Sequence, residues 1–211
     1  MNEPIITAEM FERFTSPPEP ASIEERTCML TLAARLILDA IGEDLDRDGL
    51  RDTPARFARM WLEFADYEPG RTDTAFDTIS TDQMVAITGI KVWSLCEHHL
   101  LPFSCTINIG YITRSKILGL SKFARIAQKH AHKLQVQERL VEEIALEVAK
   151  VTGSPNVAVS ASGEHLCMLM RGAKQPHTMH SSKLMGVFLE QNGSARAEFG
   201  ALVNASSSAA R

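Results

Sequence analysis

Two short stretches concentrate the soft and borderline ligands of this chain. "SLCEHHLLPF" at 94–103 places Cys96, His98 and His99 within four positions, and "EHLCMLMRG" at 164–172 pairs His165 with Cys167. Thiolate and imidazole together favour zinc over magnesium or calcium. Two arrangements stay open for these candidates. A closed structural site takes four protein ligands. A catalytic site takes three and keeps one position for water, which leaves two histidines for proton transfer. His98 and His99 are adjacent, so in a regular strand they point to opposite faces. Both can serve one site only where the backbone is irregular, or where they do different jobs.

Cationic groups extend the picture. Lys122 and Arg125 lie three apart on a predicted helix and share a face, and Arg171 follows four residues after Cys167. Three cations near a metal suit a phosphate-bearing substrate; for Lys122 and Arg125 alone, a solvated helix face is the plainer reading. Glu138, in "QVQERL", opens a predicted helix, where the dipole favours a carboxylate in any case.

The elements that must position these groups follow from periodicity. "MVAITGIKVWSL" (84–95) and "FSCTINIGYI" (103–112) are β-rich and flank the first cluster, which places it at a strand-to-strand connection. "LSKFARIAQKHAHK" (120–133) and "VQERLVEEIALEVAKV" (136–151) read as helices, the second with Val136, Leu140, Ile144 and Val148 on one face. "NVAVSAS" (156–162) and "HLCMLMRG" (165–172) are predicted to form a hairpin, 183–190 a strand and 194–203 a short helix. Toward the start, residues 1–21 form an expected flexible arm containing "SPPEP". A helical segment over 22–70 begins with a Ser22–Glu25 capping box, stops at Gly42 and restarts at Thr53-Pro54. A catalytic domain is expected over 71–203, and a disordered tail over 204–211. "DLDRDG" at 44–49 imitates the start of a calcium loop, but position twelve falls on Ala55, where a bidentate Glu is required. Strands in pairs with helices between hairpins make an α+β class.

Composition narrows the function. The chain has 211 residues, 45% of them hydrophobic, and a formal charge of −4. That balance argues against nucleic acid as a partner. No apolar run approaches the roughly 18 residues of a membrane span, so no membrane association is expected. Four scattered cysteines indicate a reducing, cytoplasmic setting rather than a disulfide scaffold. Neither GxGxxG nor GxxxxGK[ST] occurs, so a nucleotide would have to be held in another way.

"CEHHLLPF", "GLSKFARI", "LQVQERL" and "HLCMLMRG" occur in an order and spacing that resemble the GTP cyclohydrolase I family, and "GEDLDRDGLRDTPARFARMW" resembles its N-terminal helical segment. The resemblance spans roughly residues 27–203. It implies a tunnelling fold, an antiparallel sheet with helices on one side, preceded by the N-terminal helical segment. The implied activity is zinc-dependent hydrolysis of GTP, with release of C8 as formate and formation of 7,8-dihydroneopterin triphosphate, a precursor for folate, tetrahydrobiopterin or deazaguanine routes. A homo-oligomer, a decamer of two pentamers with sites at subunit interfaces, is also implied. Carried over by residue, Cys96, His99 and Cys167 match the zinc ligands, and His98 and His165 the proton-handling histidines. Ser121, Lys122, Arg125 and Arg171 match contacts to ribose and triphosphate, and Gln137 and Glu138 the pair around guanine.

There are departures. Ser104-Cys105 follows "LPF" where the family commonly carries Gly at the second position. His132-Lys133 replaces a basic pair. The segment "HTMHSSKLMGVF" is atypical, with His177 and His180 expected at the surface. Two other functions compete. A non-catalytic, zinc-stabilised oligomeric binding module would most simply lack a proton-handling histidine or Glu138, and all are present. Another tunnelling-fold enzyme, acting on a pterin or deazapurine, would share the architecture but not this set of four motifs.

Overall fold

The computed structural model describes residues 22–77, 81–114 and 116–209. The arm expected over 1–21 lies outside them. The chain divides into two compact units, Met1–Asp66 and Tyr67–Arg211.

In the first unit, α1 (Ile23–Ala40) and α2 (Thr53–Ala65) pack together. The capping box forms: Ser22 Oγ accepts from Glu25 N at 3.2 Å, and the Glu25 carboxylate accepts from Ser22 N at 2.8 Å. Gly42, at φ 81°, turns the chain out of α1, a conformation that costs glycine little. Arg26 clamps Asp66 through two hydrogen bonds of 2.7 and 3.1 Å. "DLDRDG" is a turn whose Asp44 accepts from Asp46 N at 3.0 Å, while Arg51 pairs with Asp48 at 2.8 Å.

The second unit is built on a five-stranded sheet in the order β5-β2-β3-β6-β7. Its strands are β2 (Met84–Cys96), β3 (Pro102–Ile112), β5 (Leu134–Gln135), β6 (Val157–His165) and β7 (Met179–Leu184). All neighbours pair antiparallel except β2 and β5. A smaller ladder joins β1 (Ala75–Asp77) to β4 (Lys116–Leu118). The helices α3 (Leu120–Ala131) and α4 (Gln137–Thr152) cover one sheet face. The period-2 alternation sends Val92, Phe103, Cys105, Ile107, Ile109, Tyr111, Val157 and Val159 toward them. Phe123, Ile126, Leu140, Ile144 and Val148 meet these side chains, each large one contributing about 1.5–3 kcal/mol on full burial. This is the expected α+β architecture, a tunnelling-fold arrangement with a preceding helical segment.

Three local expectations are corrected. Residues 165–172 do not form a strand: β6 runs unbroken to His165, and the chain then makes a one-turn helix, α5 (Leu166–Leu169), so the hairpin partner of β6 is β7. The strand expected over 183–190 ends at Leu184, where Gly186 at φ 58° passes so close to Asn156 that a Cβ would sit 2.1 Å from its Oδ1; a 3₁₀ turn over Gly186–Leu189 follows. The short helix is longer than expected. α6 runs over Ser194–Ala209, through most of the segment read as a disordered tail. Its Phe199 lies on the opposite sheet face, against Gly110, where a Cβ would meet the ring at 2.7 Å, and beside Phe188 and Ala158.

Candidate active site

The connection between β2 and β3 is a tight turn, not extended chain. Leu100 N donates to Cys96 O at 2.8 Å, Cys96 N to Leu101 O at 2.8 Å, and Leu100 takes φ 56°. The turn cancels the opposite-face rule that applies to neighbours in a strand. His98 Nδ1 and His99 Nδ1 both lie 3.8 Å from Cys96 Sγ, their rings edge to face. The turn is also tied down. Glu97 N donates to Gln135 O at 3.1 Å, and the Glu97 carboxylate pairs with Arg139, which also donates from Nη2 to Leu134 O at 3.0 Å. Glu97, the acid of the motif, thus joins the turn to α4.

α5 brings Cys167 to this turn. The ligand atoms of Cys96, His99 and Cys167 all lie within 4.8 Å of one another, the one such group of three among the described residues. Two sulfurs and an imidazole nitrogen are the donor set that zinc takes, so the residues present fit that ion. Burial pushes the Cys167 thiol up from its ordinary value, and the neighbouring Cys96 sulfur adds to this, while Arg171 opposes it. A cation between the two sulfurs reverses that logic and favours both thiolates. His98 stands beside the group without belonging to it.

His165, the last residue of β6, sits against Phe103, with ring centroids 4.5 Å apart and planes 5° from parallel. Its Nε2 is 3.0 Å from Gln137 Oε1. Burial lowers its affinity for a proton, nearby His177 lowers it further, and Glu138 raises it. His177 is therefore not the bystander expected from the sequence: it is half-buried, with its ring centroid 5.9 Å from that of His165. The segment that carries it is Ser/Thr-rich and has no periodicity, so nothing local signalled the approach. His180 is exposed as expected and meets Ser162 Oγ at 3.0 Å. Cys105, the departure after "LPF", is a core side chain. Burial pushes its thiol up to about 12, which makes it a poor nucleophile at neutral pH.

Gln137 and Glu138 open α4 and diverge, one fully buried and one exposed. Arg171, just beyond α5, shares the metal end of the unit through its influence on Cys167. Ser121 and Lys122 lie in the first turn of α3, toward the other end of the sheet, and Arg125 one turn further along it. Phe103 pairs with His165 at one end of the β3–β6 ladder and Tyr111 with Val157 at the other, eight residue steps or about 26 Å away. Tyr111 Oη accepts from Leu118 N at 3.0 Å there, and α3 starts beside it. Lys122 faces Asp73, and the Arg125 guanidinium lies against Gly70. Within one chain, the predicted site residues thus form two groups.

The GTP cyclohydrolase I family model matches residues 30–204. The chain is 46% identical over 173 residues to the GTP cyclohydrolase 1 of Sulfurihydrogenibium sp., covering 82% of this chain and 92% of that one. It is 47% identical over 159 residues to that of Aquifex aeolicus, with 75% and 86% covered. The Hyperthermus butylicus protein of the same name is 45% identical over 158 residues, with 75% and 78% covered. Among the described residues no helix is long and apolar enough to cross a membrane. With its two Cys/His stretches meeting as one group, and with the family model matching from Leu30 in α1 to Asn204 in α6, the chain belongs to the GTP cyclohydrolase I family and is an enzyme of that type.

Proposed function

We propose that this chain is a zinc-dependent GTP cyclohydrolase I that releases C8 of GTP as formate and yields 7,8-dihydroneopterin triphosphate. The observation that carries the reading is the convergence of Cys96, His99 and Cys167 next to a histidine held by a buried amide. Zinc, when bound by those three residues, supplies Lewis acidity and lowers the pKa of a water for attack on C8. His165 moves a proton at the purine N7, which makes C8 more electrophilic, and an imidazole suits that exchange near neutral pH. His98, beside the ligand group but outside it, handles protons during ring opening and ribose rearrangement.

Base choice falls to Glu138. Its exposed carboxylate accepts from the guanine N1–H and 2-amino group, a pair of donors that adenine does not present. Arg171 meets the anionic part of the substrate from the same chain. Ser121, Lys122 and Arg125 meet ribose and triphosphate from a neighbouring copy, since in one chain they stand on α3 and not with the Cys/His group. The working unit is accordingly a homo-oligomer with its site shared between chains, and the family resemblance implies a decamer of two pentamers; a cytoplasmic location follows the same reading. The test is direct: purified, zinc-loaded protein is given GTP and followed for formate and, after oxidation, for fluorescent neopterin. Absence of both products overturns the proposal.

A further inference from the structure

Gln137 is a fully buried amide at the first position of α4. One end of its side chain faces Ala161 O at 3.3 Å, Met179 O at 3.1 Å and Ser181 Oγ at 3.0 Å. The two carbonyls can only accept, so this end must be the NH₂ group. The other end is then the oxygen. It faces Cys105 Sγ at 3.3 Å and His165 Nε2 at 3.0 Å. An amide flip would set the NH₂ against a thiol and an imidazole and leave two buried carbonyls facing an oxygen, which a buried network does not tolerate cheaply.

Packing removes the remaining freedom. A Cβ on Gly163 would lie 2.5 Å from Gln137 Oε1 and 2.6 Å from Cys105 Sγ, so the amide, the thiol and the strand backbone fill the space completely. Phe103 holds the His165 ring by one face. The ring cannot readily turn to offer a different nitrogen.

We infer that Gln137 is a positioning residue that fixes the tautomer of His165: the hydrogen-bond network obliges Nε2 to carry the hydrogen of the neutral ring, and leaves Nδ1 without one. The inference rests on the proposed function for its catalytic meaning, and it separates two neighbours that the resemblance groups together. Glu138 faces solvent and takes the base. The Gln137 amide is committed to the protein and acts through His165. An outer partner that selects one imidazole nitrogen for the chemistry is a common way to keep a histidine ready.

The experiment uses the zinc-loaded, full-length protein labelled with ¹⁵N in the histidine rings. Nuclear magnetic resonance at mildly alkaline pH reads which nitrogen bears hydrogen, with His165 assigned by difference against His165→Gln. The expected result is hydrogen on Nε2; hydrogen on Nδ1 in the wild-type protein overturns the inference, whatever any variant does. Gln137→Met then removes the acceptor at similar volume. We expect a mixed tautomer and a kcat lower by about 10- to 100-fold, the range for losing a group that orients a histidine, with KM for GTP within about twofold and zinc content kept. A raised KM with kcat and tautomer unchanged would assign the amide to the base instead and overturn the inference. If Gln137→Met does not fold, the wild-type tautomer decides alone. Failure of the functional reading shows separately, as wild-type protein that releases no formate while the ring signals remain readable.

Discussion

The adjacent histidines differ in what surrounds them, and mutation should separate them. His99 belongs to the group whose ligand atoms lie within 4.8 Å of one another; His98, 3.8 Å from Cys96 Sγ and edge to face with His99, stays outside it. His99→Ala should lose zinc and turnover together. His98→Ala should keep near-stoichiometric zinc and lose roughly 10²- to 10⁴-fold in kcat, the usual cost of removing an acid–base group. Elemental analysis beside a formate assay checks the pair, and equal zinc loss in both would favour a closed four-ligand site. Glu138 acts through its charge and its two acceptor oxygens. Glu138→Gln should abolish GTP turnover, because the new NH₂ opposes the guanine donors, while zinc content and melting temperature stay put; normal turnover would remove Glu138 from base recognition. Much of this was readable from residue types and spacing, since each candidate ligand carries its own chemistry. Residue types and spacing alone did not separate His98 from His99, a split that only the family resemblance implied, because the direction of a neighbour depends on the turn between Cys96 and Leu101. Nor did they reveal the duty of Gln137, whose partners lie 24 to 44 positions away in sequence.

At the level of elements, periodicity identified β2, β3, α3 and α4 because each has a wet side and a dry side. It failed where one side is not enough. "HLCMLM" is apolar throughout, which suits a strand or a helical turn equally, and the end of β6 at His165 decided for the turn. The Ser- and Ala-rich C-terminus reads as disordered by composition, yet Phe199 anchors α6 against Gly110. The outer edges of α3 and α4 hold a further consequence, for acid stability. Burial by itself would raise Glu143 and Glu147. Hydrogen bonds from Lys133 and Gln135 to the first, and from Lys129, Thr72 and His130 to the second, outweigh it and hold both carboxyls below their ordinary value of 4.5. A folded-state pKa below the unfolded one stabilises the fold above the unfolded value, and the benefit is lost as pH falls through the folded one. Melting temperature should therefore be steady on this account above pH 4.5 and drop below it. Glu147→Gln should melt about 2–4 °C lower at pH 7, the shift for about 1 kcal/mol in a chain of this size, and show a shallower acid decline. Parallel curves for the two proteins would remove these helix-to-helix contacts from the explanation.

At the scale of the whole molecule, the first unit leaves Met29, Leu32, Leu36 and Ile37 of α1 exposed, with Ile41 at its C-cap and Met60 of α2. An apolar surface of this kind is a common mark of association. Turnover per chain should fall on dilution in step with dissociation followed by sedimentation, and a fully active monomer would defeat the shared-site reading. The distance of about 26 Å along β3, between the paired ends Phe103–His165 and Tyr111–Val157, has a genetic consequence as well. If one chain brings the metal group and another brings Lys122, a lesion at either end disables different halves of each composite site. Two variants that are each strongly impaired, His98→Ala and Lys122→Ala, should then rescue one another when unfolded together and refolded as mixed assemblies, because some sites draw both intact halves. The recovered rate should rise and fall with the mixing ratio and return to its residual level when either variant is refolded alone.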